Sequence, residues 1–344
     1  MKILFVKLGS IGDVVHTLPA LAAVGRALPE AEISWVVERR AAEILRGRNQ
    51  FLHRLIEIDT KALRRKDALG KTLLIARQQF CGLRASAFDV ALDFQGLLKS
   101  AAIARLSRAK KRYGFDRAAL REPASRFLLT DTVKIPERIH VIRKNLMLAA
   151  EALKIEVPDS GFEFPIATEQ AHVDEAERIA DSAGGDFAIL NPAGGWATKL
   201  WEAEKFGRLA DRIWEEHGLR SVVTTAPNEN HLAERVLQSN RSGSVLRANL
   251  SIKGFYELAR RARLYVGGDT GPTHIAAAAG TPLVGIFGPT EWWRNGSVSE
   301  CDICVERTDI NCRTDCHRRK CENWICMDIP VETVARAVAE RLKK

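Results

Sequence analysis

The segment KILFVKLGSIGD, residues 2–13, carries the clearest structural signal in the chain. Its first five residues form a largely apolar run that predicts a buried β-strand, and Gly9 and Gly12 follow where the chain has to turn. A helical pattern then continues over residues 14–28. A strand, a glycine-containing turn and a helix in this order are typical of a parallel sheet with helical crossover connections. The N-terminal part of the chain is therefore predicted to be α/β.

The same alternation continues along the chain and restarts after a polar, proline-containing stretch at residues 155–169. Strands are predicted at residues 31–37, 55–58, 88–94, 187–191, 221–225, 264–266 and 283–287. We therefore expect two Rossmann-like domains, at residues 1–160 and 161–330, and an amphipathic helix at residues 331–344. The length of 344 residues agrees with this division, because domains usually contain roughly 100–200 residues.

The composition excludes several classes of protein. With 46% hydrophobic and 28% charged residues, the chain is neither disordered nor collagen-like. No stretch approaches the ~18 consecutive apolar residues of a membrane span, and the N-terminal apolar run is too short for a signal-peptide core. These features predict a cytoplasmic protein.

The net charge of +9 is unevenly distributed along the chain. Residues 1–150 contain 28 Lys and Arg against 14 Asp and Glu, whereas the remaining residues contain 24 against 29. Such an excess is either a solvated basic face or the binding surface for an anionic partner. Nucleic acid, a phosphorylated substrate and an acidic membrane surface all fit this charge.

Two predicted turns place a carboxylate at the end of a strand. Asp13 lies at the edge where open α/β sheets bind ligands, although a carboxylate there also stabilises a helix N-terminus. The segment GGDTGPTH, residues 267–274, offers small residues, a hydroxyl and free N–H groups that suit a pyrophosphate. The alternative is a tight turn in which Asp269 caps the helix, with His274 packed or at the surface.

Two further turns in the C-terminal half carry polar candidates. Residues 191–201 contain two glycines and Lys199, which can neutralise a phosphate group or be merely solvated. Glu229 follows the next predicted strand, and its carboxylate can bind ribose hydroxyls or cap the following helix. The turn at residues 267–274 and the Gly-Pro turn that ends the segment 281–290 are expected at the same edge of the second sheet.

Five segments together resemble one known family. They are KLGSIGDVVHTLPAL at residues 7–21, WVVE at 35–38, DFQGLLKSA at 93–101, REP at 121–123 and GGDTGPTHIAAAAGTPLVGIFGPT at 267–290. These segments are similar to the ADP-heptose:lipopolysaccharide heptosyltransferases of glycosyltransferase family 9, and most of all to the heptosyltransferase I branch. The resemblance implies a GT-B fold, in which two Rossmann-like domains with parallel sheets face each other across a cleft. The N-terminal domain would bind the acceptor and the C-terminal domain ADP-heptose.

The resemblance also implies roles for individual residues. Asp13 would be the general base that deprotonates the acceptor hydroxyl, and Lys199 would stabilise the leaving diphosphate. The implied donor-binding residues are Gly194, Gly195, Glu229, Leu250, Asp269, Thr270, Gly271 and His274. At Gly194 and Gly195 the family often has hydroxyl side chains, so only backbone N–H groups remain to bind phosphate there. The implied contacts to the Kdo carboxylates and lipid A phosphates are Lys61, Arg64, Arg65, Lys66 and Arg121, which otherwise form a solvated basic face.

Six of the seven cysteines fall between Cys301 and Cys326, in the spacing C-x2-C-x7-C-x3-C-x4-C-x4-C. In a reducing compartment such a cluster favours a structural zinc ion over a disulfide framework, and C-x2-C is a common zinc half-site. The other spacings match no known zinc module. Catalysis is expected to need neither this metal nor any other cofactor.

The implied function is an inverting, metal-independent transfer of heptose from ADP-L-glycero-D-manno-heptose to the inner Kdo of Kdo2-lipid A. Heptosyltransferase II, or another core heptosyltransferase, is the alternative within the family. A basic nucleic-acid-binding protein with a cysteine-ligated metal is the alternative outside it, although the positive charge avoids the cysteine-bearing half and no nucleic-acid recognition motif is present. The implied partners are ADP-heptose, Kdo2-lipid A and the cytoplasmic face of the inner membrane, with peripheral association and no nucleic acid.

Overall fold

A computed structural model describes residues 1–60, 82–84, 86–314 and 316–344. The chain divides into two compact units, Met1–Ala167 and Thr168–Lys344. This division lies a few residues C-terminal of the boundary expected at residue 160. Each unit contains one six-stranded sheet in which every pair of neighbouring strands is parallel.

The first unit is a sheet with helical crossover connections. Its strands are β1 (Lys2–Val6), β2 (Glu32–Glu38), β3 (Arg54–Ile58), β4 (Val90–Asp93), β5 (Lys111–Phe115) and β6 (Asp131–Val133). Its helices include α1 (Ile11–Val15), α2 (Leu18–Ala27), α3 (Leu98–Leu106) and α4 (Val141–Leu153). The strand order is β3-β2-β1-β4-β5-β6. The chain thus builds outward from β1 in one direction and then returns to place β4 on its other side, and this switch point is where open α/β sheets bind ligands.

The central strand β1 explains the apolar run with which the chain begins. Residues 3–6 have no exposed surface, as expected for a parallel strand that is covered on both faces. The ring of Phe5 lies 5.5 Å from that of Trp35 on β2 and 4.8 Å from that of Phe94 after β4. These aromatic contacts join the three strands beside the switch point.

The second unit repeats this topology. Its strands are β7 (Phe187–Asn191), β8 (Arg220–Thr224), β9 (Val245–Ala248), β10 (Leu264–Gly268), β11 (Leu283–Phe287) and β12 (Ile303–Glu306). Its α-helices are α5 (Gln170–Ala183), α6 (Ala203–His217), α7 (Asn230–Ser239), α8 (Ile252–Arg261), α9 (Gly271–Ala278), α10 (Trp292–Asn295) and α11 (Val331–Lys343). The strand order β12-β11-β10-β7-β8-β9 places the switch point between β7 and β10.

The predicted α/β class and the two parallel sheets are confirmed, and every predicted strand is present near its expected position. The single helix expected over residues 14–28 is wrong, because α1 ends at Val15 and α2 begins at Leu18. Pro19 lies in the first turn of α2, a position that proline tolerates, whereas a proline inside one continuous helix would remove a hydrogen bond and clash with the preceding turn. The strands β5, β6, β9 and β12 were not predicted, since they are short and lie mostly at the outer edges of the sheets.

Asp93, the last residue of β4, is a fully buried carboxyl group. Its Oδ1 accepts hydrogen bonds from the backbone N–H groups of Gln95 at 2.9 Å and Gly96 at 3.2 Å, and its Oδ2 accepts one from Ser100 Oγ at 3.0 Å. Burial raises the pKa of Asp93 to about 6, although these hydrogen bonds and the charge of Lys7 act in the opposite direction. Asp93 therefore shapes the turn after β4 at an electrostatic cost near neutral pH.

Replacing Asp93 with Asn tests this cost. Because the folded-state pKa lies above the usual value of Asp, the folded protein binds this proton more tightly, and the contribution of Asp93 to stability falls as pH rises from about 4 to about 6. The free energy of unfolding of Asp93→Asn relative to the native protein should therefore increase over that range, by up to about 3 kcal/mol. Denaturant unfolding at a series of pH values measures this change.

Asp89→Asn is the matched control, since Asp89 immediately precedes the same strand. A hydrogen bond from Lys110 is the main cause that lowers the pKa of Asp89, so its variant should lose relative stability as pH rises. A pH-independent difference for Asp93→Asn, or one with the sign expected for Asp89→Asn, would contradict the assignment.

Candidate active site

The turn after β1 brings Asp13 to the switch point of the first sheet. Gly9 has a φ of +148°, a conformation that favours glycine, and the chain then enters α1. Asp13 is the third residue of α1, and its Oδ2 accepts hydrogen bonds from Ser10 N at 2.8 Å and Ser10 Oγ at 3.3 Å. The carboxylate thus caps its own helix, as the purely structural interpretation requires. Its side chain is nevertheless 36% exposed and remains accessible to a ligand.

Lys7 forms an ion pair with Asp13 from the interior of the protein. Its side chain is 5% exposed, and its Nζ lies 3.3 Å from Asp13 Oδ1. The same ammonium donates a hydrogen bond to the carbonyl oxygen of Phe94 at 3.0 Å, which ties the turn after β1 to the turn after β4. The carbonyl oxygen of Lys7 accepts a hydrogen bond from Trp35 Nε1 at 3.0 Å. A buried lysine with these partners fixes both the position and the charge state of Asp13.

The pKa of Asp13 lies below its usual range. Burial alone would raise it, but the positive charge of Lys7 and the hydrogen bonds from Ser10 and Lys7 outweigh burial. Asp13 is therefore ionised at neutral pH and can accept a proton.

Arg121 reaches the same edge of the first sheet. It is exposed, and the neighbouring Glu122 donates its N–H to the carbonyl oxygen of Gly96 at 3.1 Å, in the turn after β4. The carboxylate of Glu122 accepts the N–H of Leu98 at 2.7 Å. The other implied acceptor contacts lie outside the described residues: Lys61, Arg64, Arg65 and Lys66.

An ion pair spans the switch point of the second sheet. Lys199 follows β7, Asp269 follows β10, and the Nζ of Lys199 pairs with Asp269 Oδ2. The same Nζ donates to the carbonyl oxygen of Asp269 at 3.2 Å and lies 3.9 Å from the ring centroid of Trp196. Both charged side chains are at least nine-tenths buried. The structure therefore joins the two implied donor-site residues in one contact.

Two further side chains contact Asp269. His274 Nε2, on α9, lies 3.2 Å from Asp269 Oδ1, and Asn295 Nδ2, on α10, donates to the same oxygen at 2.7 Å. Burial acts to raise the pKa of Asp269, but His274 and then Lys199 outweigh burial and hold it far below its usual range. Asp269 is thus a permanent carboxylate with three donors, which leaves about one acceptor site for a ligand hydroxyl.

The hydroxyl of Thr270 is engaged within the protein. Its Oγ1 lies 3.1 Å from Thr273 Oγ1, which in turn lies 3.0 Å from the Tyr265 hydroxyl and donates to the carbonyl oxygen of Gly268. Thr270 precedes α9, which begins at Gly271 and has a proline in its first turn. The N–H groups of this first turn have no partner inside the helix and suit an anion better than the threonine hydroxyl does.

The remaining implied donor residues follow the next strands along the same edge. Gly194 lies after β7, where a Cβ would come within 2.9 Å of Leu200, whereas a Cβ on Gly195 would meet nothing. Glu229 follows β8, is half-buried, and accepts the N–H of Ala226 at 3.3 Å, so it caps its own turn. Leu250 follows β9 and is half-buried. The order β10-β7-β8-β9 arranges these turns in a row of about 14 Å, because adjacent strands are roughly 4.8 Å apart.

Sequence reasoning gave no role to Lys7, Trp196, Asn295 or Arg319, all of which contact these clusters. Arg319 lies 5.2 Å from the centroid of the Trp196 ring, which also contacts Lys199. Lys7 and Trp196 lie in turns that follow predicted strands, and this position was the signal that could have identified them. The sequence around Asn295 carries no such signal, because Asn295 reaches Asp269 only through the return of α10.

The zinc ion expected at the cysteine-rich segment stays a prediction. The six cysteines between Cys301 and Cys326 are free thiols. Within the described residues, no three His, Cys, Asp or Glu side chains are already arranged to hold a single metal ion.

The family described as "Glycosyltransferase family 9 (heptosyltransferase)" matches residues 77–325, which is more than half of the chain. The chain belongs to glycosyltransferase family 9. It is 30% identical over 321 residues to "Lipopolysaccharide heptosyltransferase 1" of Pseudomonas aeruginosa, covering 90% of this chain and 87% of the relative. The chain is therefore a glycosyltransferase, as its sequence motifs implied.

Solved structures of this family share the fold. "E. coli heptosyltransferase WaaC with ADP" superposes with a TM-score of 0.80 at 24% identity, covering 99% of this glycosyltransferase and 100% of that chain. "E. coli heptosyltransferase WaaC with ADP-2-deoxy-2-fluoro heptose" gives 0.79 at 23% identity, with 99% of each chain covered. The GT-B fold class is thereby confirmed. Across the part of this chain that the structure describes, no helix has the length and apolar character to cross a membrane.

Lys7→Met tests whether Lys7 sets the charge state of Asp13. Removing the ammonium leaves burial as the main influence, so the carboxyl titration of Asp13, followed by ¹³C NMR, should move to higher pH. Lys99→Met is the control, because Lys99 pairs with Glu38. An unchanged Asp13 titration in Lys7→Met would show that Lys7 does not hold this carboxylate.

Proposed function

We propose that this glycosyltransferase transfers heptose from ADP-L-glycero-D-manno-heptose to the inner Kdo of Kdo2-lipid A, the heptosyltransferase I reaction. The relative from Pseudomonas aeruginosa is named as a heptosyltransferase 1, and one similar structure is described with an ADP-heptose analogue. The observation that carries the proposal is the accessible, ionised carboxylate of Asp13 at the switch point of the first sheet.

Asp13 would act as the general base. The acceptor hydroxyl oxygen attacks the anomeric carbon of the heptose, the bond from that carbon to the ADP phosphate oxygen breaks, and Asp13 takes the hydroxyl proton. Attack from the face opposite to the leaving ADP inverts the anomeric configuration. Because the pKa of Asp13 is lowered, the base is weak, and proton transfer would be favourable only once the attacking oxygen has lost electron density to the heptose.

The row of turns at the edge of the second sheet would bind the donor. Its length of about 14 Å, three strand spacings, suits an extended nucleoside diphosphate. Leu250 would contact the adenine, Glu229 the ribose, and the first turn of α9 the diphosphate. The ammonium of Lys199 would stabilise the negative charge that builds on the diphosphate as it leaves.

Asp269 would position the donor site and make at most one contact to the ligand. A carboxylate beside a diphosphate is repulsive unless its charge is balanced, and Lys199 supplies that balance. The free acceptor site on Asp269 would bind a heptose hydroxyl, which is a neutral donor.

The acceptor would be bound by the basic N-terminal part of the chain. Arg121 lies at the sheet edge that carries Asp13, and its guanidinium suits the carboxylates and phosphates of Kdo2-lipid A. Lys61, Arg64, Arg65 and Lys66 are proposed as further contacts to the same acidic groups. The enzyme would act at the cytoplasmic face of the inner membrane, where such a lipid acceptor is held, and would need no metal or other cofactor for the transfer.

One assay tests both substrates. The full chain is incubated with ADP-heptose and either Kdo2-lipid A or its heptosylated form, and the lipid products are identified by mass spectrometry. We expect one added heptose on Kdo2-lipid A and none on the heptosylated form. Transfer only to the heptosylated lipid would assign heptosyltransferase II, and no transfer to either lipid would contradict the proposed reaction.

Asp13→Asn tests the base. Asparagine keeps the shape and can still accept a hydrogen bond from Ser10, but it cannot take the proton, so turnover should fall by at least ~100-fold while ADP affinity is kept. Asp116→Asn is the control, because Asp116 caps the turn after β5 at the same sheet edge. Turnover of Asp13→Asn within a fewfold of the native enzyme would remove Asp13 from this role.

A further inference from the structure

The cysteines of the C-terminal segment fall into two environments. Cys301 is exposed, and the Sγ of Cys304 lies 3.6 Å from Glu306 Oε2. The other four cysteines line one cavity of about 80 Å³: Cys312, Cys316, Cys321 and Cys326. The structure thus selects four thiols out of six, a distinction that the spacing did not make.

Four cysteine side chains around one cavity are a donor set for a soft metal. Thiolates bind zinc in tetrahedral sites with four cysteine ligands and also hold iron–sulfur clusters. The four thiols here line the cavity without converging on one point, since no three metal-binding side chains of the described residues are arranged for a single ion. The cavity is large compared with the ~10–15 Å³ that one water needs. Either the cysteine side chains rotate inward around one ion, or a cluster of several metal atoms spans them.

The segment that carries these thiols has no regular secondary structure and little apolar burial. In residues 307–324, apart from residue 315, the structure contains neither helix nor strand. The apolar residues of this segment other than cysteine are Ile310 and Trp324, and Trp324 is 40% exposed. Ile310 packs against the core of the second unit, so apolar burial contributes little but not nothing to holding the segment. Irregular segments of this length are uncommon in compact domains unless they serve a function.

The charge around the cavity suits a metal centre. Arg318 lines the cavity together with the thiols, and Arg319 and Lys320 follow it in the chain. Four thiolates and a divalent ion leave a net negative charge, which these cations would balance.

The same segment is anchored to turns of the candidate donor site. Thr198, the residue before Lys199, donates its hydroxyl to the carbonyl oxygen of Arg318 at 2.6 Å, and its carbonyl oxygen accepts the Trp324 indole N–H at 2.9 Å. Arg313 donates to the carbonyl oxygen of Gly288, in the turn after β11, at 3.0 Å. Ordering the segment therefore orders the turn that carries Lys199.

We propose that Cys312, Cys316, Cys321 and Cys326 together hold one thiophilic metal centre, a zinc ion or an iron–sulfur cluster, that fixes residues 307–324 against the turns after β7 and β11. This centre is structural and does not enter the transfer reaction. The sequence predicts a metal in this segment, and the proposal specifies its four ligands. It does not depend on the proposed function.

The test is metal analysis of the full chain purified under nitrogen. We expect one metal centre per chain. The type of metal distinguishes a zinc ion from an iron–sulfur cluster. Zinc without visible absorption indicates a single ion, and iron with labile sulfide and a broad visible band indicates a cluster. Removing the metal from the native chain with a chelator should lower the Tm by several degrees, and restoring the same metal should recover it.

Matched variants assign the ligands. Cys316→Ser and Cys321→Ser should each lose most of the bound metal, whereas Cys301→Ser and Cys304→Ser should keep it. Should the first pair fail to fold, alkylation of the native chain replaces them: metal should protect four thiols, identified by mass spectrometry as those lining the cavity.

Three results would overturn the proposal. The first is a chain purified under nitrogen that contains neither zinc nor iron and whose Tm does not rise when Zn²⁺ is added. The second is a disulfide between any two of the four cysteines in that preparation. The third is metal that is lost when Cys301 or Cys304 is replaced but retained when Cys316 or Cys321 is replaced.

Discussion

The ion pair between Lys199 and Asp269 is the contact on which the second unit's site depends. Burying two charges costs free energy, and a buried pair is stable only when further hydrogen bonds satisfy both partners. Here His274 and Asn295 also contact Asp269, and the Trp196 ring and the Asp269 carbonyl oxygen are further partners of Lys199. The pair joins the turns after β7 and β10, which are neighbours only because the strand order reverses there. We infer that its main role is to orient the site rather than to stabilise the fold.

The first unit also contains a lysine paired with an aspartate beside its switch point. Lys7 and Asp13 both follow β1, and Lys7 crosses to the turn after β4 through the carbonyl oxygen of Phe94. The difference lies in exposure: Asp269 is enclosed by donors, whereas Asp13 keeps an open side. A carboxylate enclosed by donors, such as Asp269, is suited to positioning neighbouring groups. A carboxylate with an accessible side, such as Asp13, is suited to accepting a proton from a ligand. This contrast agrees with a donor site in one unit and a base in the other.

The sequence was sufficient for the parts that depend on local pattern. The glycine-containing turn after β1 and the segment at residues 267–274 could be located because apolar runs end there and small residues begin. The contact of Asn295 with Asp269 and the division of the cysteines could not, since each depends on an element that is distant in sequence. The helix break at Thr17 had a local signal in Pro19 that was not used. Asn145 on α4 satisfies the broken helix end by donating to the carbonyl oxygen of His16 at 3.0 Å. The resemblance to family 9 implied roles for residues whose patterns alone left alternatives open.

The central claim, that Lys199 binds the leaving diphosphate at the second switch point, is tested most directly by calorimetric measurement of ADP affinity. The variants are Lys199→Met and Lys205→Met, because Lys205 is a second buried lysine of the same unit and its Nζ pairs with Asp328 at 3.0 Å. A hydrogen bond to a charged group contributes about 1.5–3 kcal/mol, so Lys199→Met should raise the Kd for ADP at least ~10-fold. Lys205→Met should leave the Kd for ADP within about twofold of the native value, given that additivity errors are ~0.3–0.5 kcal/mol. Equal ADP affinity in a folded Lys199→Met variant and in the native enzyme would contradict the account.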